Sequence, residues 1–179
     1  MFRKSKHKQQ IELLRPKLYR LAWAWCHDSD LADDLTQTAL TKALSKIDQL
    51  RDDKRLEAWL CQILSNQFRD YLRARKDEVS PEWEAMESPM GSPEDETSSH
   101  ELVNRVRQAV AMLKPDFRMV ITMVDLMGLS YAEVSQALDI PMGTVMSRVS
   151  RGRSQLKKSL DDLQPRSRRE KVVSLRRGA

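Results

Sequence analysis

The stretch from Ser130 to Lys158, SYAEVSQALDIPMGTVMSRVSRGRSQLKK, constrains the chain more than any other. Ser130 can cap a helix, and Glu133 stands three residues on, where its carboxylate can reach back and close a capping box. Val134 and Leu138 fall on one face of the helix that follows, with small Ser135 where a second helix can approach. Asp139-Ile140-Pro141-Met142-Gly143 breaks the periodicity, and Pro141 disfavours helix at Ile140. A second helix is predicted from about Thr144, with Val145, Val149, Gly152 and Leu156 as its inner stripe. Ser147, Arg148, Arg151, Arg153 and Lys157 make an outer face without an acidic residue. Two short helices, a tight turn and a one-signed outer face describe a helix-turn-helix. An ordinary αα-hairpin shares the periodicity, but the cap, the turn and the charge pattern all favour the DNA-reading form. Asp139 stands where such turns usually place Gly, and Asp tolerates the left-handed conformation better than most residues.

The rest of the chain reads as helix to match. Its 179 residues are 32% charged and 6% aromatic, with five glycines, which fits an all-α fold. Apolar residues recur at helical spacing at Leu14, Leu18, Leu21, Ala22 and Trp25, from Ile11 onward. Pro16 is expected to mark an irregular first turn. His27-Asp28-Ser29-Asp30 interrupts the pattern and offers N-caps. A second helix to about Leu50 buries Leu31, Leu35, Ala39, Ala43 and Ile47. Asp33, Asp34, Gln37 and Thr38 lie on its flank.

A third helix, from Leu56 to about Lys76, carries the stripe Leu56, Trp59, Leu60, Ile63, Leu64, Phe68, Tyr71 and Leu72. Across from that stripe Asn66, Asp70 and Arg73 stand one turn apart, flanked by Gln62, Arg69 and Lys76. A carboxamide, a carboxylate and guanidinium groups in one row suit base edges and phosphates together, although a solvated outer face is the commoner fate of such residues. Trp23 and Trp25 are expected in the core.

Residues 77–101 hold nine acidic side chains, no Lys or Arg, three prolines and a glycine. Such composition cannot bury a core and reads as a flexible acidic linker, with Trp83 and Met86 as candidate transient anchors. It divides two small helical domains, 8–76 and 102–163. In the second, Leu102, Val106, Ala109, Val110 and Leu113 are predicted to form one amphipathic helix. Val120, Ile121, Val124 and Met127 form another, stopped by Gly128. Residues 164–179, with Arg166, Arg168, Arg169, Lys171, Arg176 and Arg177 against Glu170, read as a basic disordered arm for non-specific DNA attraction.

Composition also excludes. Cys26 and Cys61 alone, among apolar residues, argue for a reducing cytoplasm and against a disulfide scaffold. The basic start leads into charged sequence without the apolar core of a signal peptide, and no run approaches a membrane span. Cys26, His27 and Cys61 are too few and too scattered for zinc. With no nucleophile set or phosphate-binding glycine loop either, the chain reads as neither an enzyme nor a cofactor protein. The net charge of +5 favours an anionic partner.

DLMGLSYAEVSQALDIPMGTVMSRVSRGRSQLK closely resembles the fourth conserved region of bacterial sigma factors of the extracytoplasmic-function group. LADDLTQTALTKALSKIDQLRDDKRLEAWLCQILSNQFRDYLRARK resembles their second region, in the expected order. The matches cover about Leu13–Lys76 and Leu102–Leu160. Helix-turn-helices like the first occur in response regulators; both segments in one short chain are far more specific.

The resemblance implies that Asp33, Asp34, Leu35 and Gln37 dock on the clamp coiled coil of core RNA polymerase, with Thr38 where relatives usually have Glu. Leu50 to Arg55, with Leu50 and Arg51 foremost, matches the loop that captures a flipped base of the −10 element. Asn66 and Asp70, with Arg69 and Arg73 beside them, match the −10 reading positions, and Trp59 matches a core tryptophan. Thr144, Met146, Ser147, Arg148 and Arg151 match the face turned to the −35 element, with Met146 where relatives often carry a basic residue. The partners implied are core polymerase, through clamp and flap, promoter DNA and an anti-sigma factor. The rival readings are a sigma-like adaptor that binds a regulator without directing transcription and, further off, a one-component repressor.

Overall fold

A computed structural model describes residues 2–78 and 98–162, with side chains placed over 7–75 and 102–162. Within them lie seven α-helices and no strand. The acidic segment 79–97, with Trp83 and Met86, and the basic arm lie outside the described residues.

Helix α1 runs Phe2–Cys26, α2 Ser29–Ser45 and α3 Leu56–Glu78. These three pack on one another around Ile11, Leu18, Leu21, Trp25, Leu35, Ala39, Leu60, Leu64 and Phe68. Local chemistry sets their ends. Asp28 caps α2, its Oδ1 accepting from Asp30 N and Leu31 N at 2.9 Å each. His27, at φ +53°, makes the sharp reversal between α1 and α2. The predicted α1 is corrected at its start. It does not begin irregularly near Pro16 but starts well before it, at Phe2. A proline inside a helix removes one hydrogen bond, and burial of His7 and Ile11 on the upstream turns offsets that loss. The predicted α2 also ends early: Ser45 is its last residue, and 3₁₀ turns at Ile47–Gln49 and Asp53–Arg55 lead to α3.

The second group comprises α4 (Ser98–Ala111), α5 (Pro115–Ile121), α6 (Tyr131–Leu138) and α7 (Met142–Asp162). A π-helical turn, Thr122–Leu126, continues α5, and Gly128 at φ +76° ends it. α5 crosses α7 closely at Gly152, where an added Cβ would lie 2.3 Å from Ile121 Cδ1 and 3.3 Å from Phe117 Cβ. Only the C-terminal end of the apolar stripe expected on α4 faces inward. Ala109 is buried, with Leu113 just beyond the helix, while Leu102, Val103 and Val106 are exposed.

The two groups share one hydrophobic core. α6 and the π turn pack on α3 and α1, so Met119, Val120, Met123, Val134 and Leu138 join the cluster of Trp25, Leu64 and Phe68. Polar groups fasten the junction. Buried Trp25 donates from Nε1 to Thr122 Oγ1 at 2.7 Å, and that hydroxyl in turn donates to Arg118 O, also at 2.7 Å. Arg118 donates to Trp25 O (2.7 Å), Leu113 O (2.9 Å) and Ala111 O. One guanidinium thus serves orphan carbonyls at the C-termini of α1 and α4, where a positive charge also suits the helix dipoles. Burial lowers the Arg118 pKa to about 10, and it stays charged at neutral pH. Lys17 Nζ reaches Met127 O at 3.0 Å and also pairs with Glu57.

Candidate nucleic-acid interface

The helix-turn-helix is built as its sequence dictates. Ser130 Oγ accepts from Glu133 N at 3.3 Å, and Glu133 Oε2 accepts from Ser130 N at 2.8 Å, completing the capping box. The Ser130 hydroxyl and N–H hold the Glu133 carboxyl below its ordinary pKa. Asp139 takes the left-handed conformation, φ 51° and ψ 51°, and ends α6. Pro141 O then accepts from Thr144 N and Val145 N as α7 opens.

On α7, Val145, Val149 and Gly152 are buried, and the opposite side presents Met146, Ser147 and Arg151 to solvent. Thr144 is half-buried and accepts from Ser147 Oγ at 3.0 Å. Arg148 is the exception among the predicted readers: its guanidinium is turned toward α5 and pairs with Asp116 at 2.6 Å, leaving the side chain 26% exposed. Arg153 is also tied back, to Asp125 at 2.6 and 3.3 Å. The outer face is therefore less uniformly cationic than its sequence suggested.

The row on α3 is divided. Asn66, Asp70 and Arg73 are exposed, with Arg73 and Asp70 paired at 3.3 Å. Arg69 instead donates to Leu138 O at 2.6 Å, and Ser65, wholly buried, stands 3.2 Å from Ala137 O. Arg69 thus serves a carbonyl at the C-terminus of α6, while the Ser65 hydroxyl, 2.9 Å from Gln62 O of its own helix, has Ala137 O as its more distant acceptor. Arg55, in the turn before α3, pairs with Gln136 of the same helix. In the loop, Leu50 is buried and Arg51 exposed.

On α2, Asp34 and Gln37 are exposed, as is Thr38, and Asp33 pairs with Arg15 at 3.0 Å. Leu35 faces inward, 6% exposed, so it holds the helix in place and offers no side-chain surface. Sequence reasoning missed Arg118, Thr122, Ser65 and His7, the polar residues that join elements. Their partners are distant in the chain, and periodicity carries no signal for them. Cys61 is a buried thiol whose pKa burial pushes up to about 12, and Cys26 is raised for the same reason. Among the described residues no three His, Cys, Asp or Glu side chains gather as metal ligands, and no helix is long and apolar enough to cross a membrane.

A three-helix unit followed by a helix-turn-helix unit, with exposed polar rows on α3 and α7, matches two family models in order. Sigma-70 region 2 covers residues 10–78, and Sigma-70 region 4 covers residues 104–156. The chain is 30% identical over 164 residues to the ECF RNA polymerase sigma factor SigW of Bacillus subtilis, covering 86% of this chain and 88% of that one. It is 35% identical over 141 residues to the ECF RNA polymerase sigma-E factor of Escherichia coli K12, covering 73% and 74% respectively. The fold resembles that of the sigma factor RpoE from Bartonella quintana, solved with the anti-sigma factor NepR, at a TM-score of 0.72 and 29% identity over 88% of this chain and 98% of that one. CnrH, solved with the cytosolic domain of CnrY, shares the fold at a TM-score of 0.64, 22% identity and 88% and 89% coverage. The chain belongs to the ECF RNA polymerase sigma factors.

Proposed function

We propose that this chain directs transcription initiation by joining core RNA polymerase and reading two promoter elements. The observation that carries the reading is the face of α7, where Met146, Ser147 and Arg151 stand exposed opposite a buried Val145–Val149–Gly152 stripe. A helix so seated enters a major groove, and Arg151 there can span O6 and N7 of a guanine in the −35 element. Thr144 adjoins that face, and Arg148 reaches DNA once it leaves Asp116. On α3, Asn66 and Asp70 read bases of the −10 strand, Arg69 and Arg73 neutralise its phosphates, and the Leu50–Arg55 loop holds the extruded base. Extrusion costs a few kcal/mol, which contacts to the flipped base offset. Asp33, Asp34 and Gln37 dock on the polymerase clamp, and the exposed Leu102, Val103 and Val106 of α4 suit an apolar contact with the flap. An anti-sigma factor is the corresponding restraint.

Reading both elements at once requires α3 and α7 at a separation that polymerase fixes, and the bond from Arg69 to Leu138 O must break before Arg69 reaches a phosphate. The protein itself performs no covalent step. Run-off transcription with core polymerase on a fragmented genomic library tests this. Discrete start sites sharing −35 and −10 sequences are expected. Polymerase binding without any start site would favour the adaptor reading. Tight sequence-specific duplex binding by the isolated chain would favour a repressor.

A further inference from the structure

We propose that His7 is a positioning residue for the base-capturing loop, acting through Asp53. The inference rests on the proposed −10 reading and goes beyond it, since it gives a role to the first turns of α1. His7 is 2% exposed, an unusual fate for an imidazole four residues from any other buried side chain of its helix. Its Nε2 lies 2.8 Å from Asp53 Oδ1. An ionised carboxylate only accepts, so Nε2 carries the proton and donates.

Asp53 opens the 3₁₀ turn in the middle of the 50–56 connection. The ends of that connection are fixed separately. Leu50 and Leu56 are buried, and Leu50 N donates to Ile47 O at 3.1 Å. Between them Asp52 caps the turn, accepting from Lys54 N at 3.0 Å, while Arg55 N donates to Asp52 O at 3.0 Å. These bonds shape the turn but do not tie it to the bundle. The bond from His7 ties it to α1, and Ile11, one turn on and 1% exposed, keeps that part of α1 seated. Arg51, Asp52 and Lys54 are left exposed on a loop braced from behind. A pocket for one flipped base needs its walls held to within a fraction of an ångström, which a loop anchored only at its ends does not supply. The opposite end of the turn is held by the pair Arg55–Gln136, which reaches α6. If α6 leaves α3 when promoter is read, His7–Asp53 is a tether that stays, because both residues belong to the first helical group.

The test uses the full chain with core polymerase and promoters varied one base at a time. His7→Ala is expected to lower discrimination at one −10 position about five- to tenfold, the upper scale of an ordinary intramolecular hydrogen bond. Discrimination in the −35 element should not move. His7→Gln, which can present a donor near the same place, should recover most of the loss. The double variant of His7→Ala with Asp53→Ala should be less impaired than the two single effects combined, as for residues acting through one contact. A lower Tm for His7→Ala with unchanged −10 discrimination, or effects that combine fully, would overturn the proposal and leave His7 a purely structural anchor. Asn66→Ala and Arg51→Ala, followed by permanganate reactivity of promoter thymines, separate the two claims. Altered melting with those two but not with His7→Ala sinks the inference alone. Unchanged melting in all three sinks the −10 reading and the inference with it.

Discussion

The polar rows of α3 and α7 are alike in sequence and unlike in place. Both set arginines and small polar residues opposite an apolar stripe. On α7 the predicted readers Met146, Ser147 and Arg151 meet solvent, while Arg148 and its neighbour Arg153 are tied to acidic side chains of the protein. On α3 the row is split lengthwise: Asn66, Asp70 and Arg73 are exposed, whereas Arg69 serves the carbonyl end of α6. A residue that suits DNA also suits a helix C-terminus, because both present oxygen acceptors with negative potential. Which one it meets is decided by tertiary packing.

The comparison breaks most visibly at Leu138, which is buried where α6 meets α3. Leu138→Ala should cost about 2–5 kcal/mol, the usual range for a buried leucine, read by urea denaturation. Hydrogen exchange should quicken in α3 and α6 together. Faster exchange confined to residues 131–162 would show that the two groups of helices are energetically separate.

Arg151→Lys should cost about 1–3 kcal/mol at a single −35 base pair, since Lys cannot form the bidentate contact. The salt dependence of holoenzyme binding should stay nearly constant because the charge remains. Equal weakening at every promoter would make Arg151 a phosphate clamp. Arg69→Met, by contrast, should lower stability of the free protein by about 1–2 kcal/mol, leaving Leu138 O without its donor. Arg151→Ala should change free-protein stability by less than about 0.5 kcal/mol, as exposed positions do. Equal losses for the two arginines would erase the contrast between the rows.

Acid offers a smaller probe at the junction. Burial, followed by the charge of Arg118, lowers the His27 pKa from 6.5 to about 4. The unfolded chain then binds the proton more readily than the folded one. Stability present above about pH 6.5 should decline as pH falls to about 4 and level off below it. Partial exposure of the ring limits the loss to about 1 kcal/mol. His27→Asn, which tolerates the left-handed backbone, should flatten the fall in Tm between pH 7 and 5. Smallest of all, Asp139→Gly should raise stability by roughly 0.5 kcal/mol, relief of the left-handed strain being partly offset by a freer unfolded chain.

The sequence revealed most where structure is made locally. The Ser130–Glu133 box, the left-handed Asp139 and the Val145–Val149–Gly152 stripe each depend on neighbours a few residues away, and all three are present. The start of α1 was hidden because Lys- and Gln-rich turns show no apolar period, and Pro16 looked like a boundary. Its helix is held by two side chains, His7 and Ile11, buried against distant elements. The α4 stripe misled in part: amphipathic spacing at Leu102 and Val106 predicts a covered face, and among the described residues that N-terminal part is exposed while Ala109 and Leu113 are buried. Least legible was the junction. Arg118, Thr122 and Ser65 are ordinary helical residues until Trp25 and the end of α6 arrive as their partners.

The crossing at Gly152 bears on how far the recognition helix can be treated as an exchangeable part. With Ile121 Cδ1 2.3 Å from the place a Cβ would occupy, the seat of α7 is matched to the absence of one methyl group. Transplanting the exposed positions of another family member into this helix, residue by residue, should preserve the fold. Transplanting the whole helix from a donor with Ala or Ser at this position would require Ile121 Cδ1 to swing aside and Phe117 to give by a few tenths of an ångström, so the seat of α7 would have to be repacked along with it. An engineered hybrid with new promoter preference should therefore either retain Gly152 or trim Ile121 to Val in the same step.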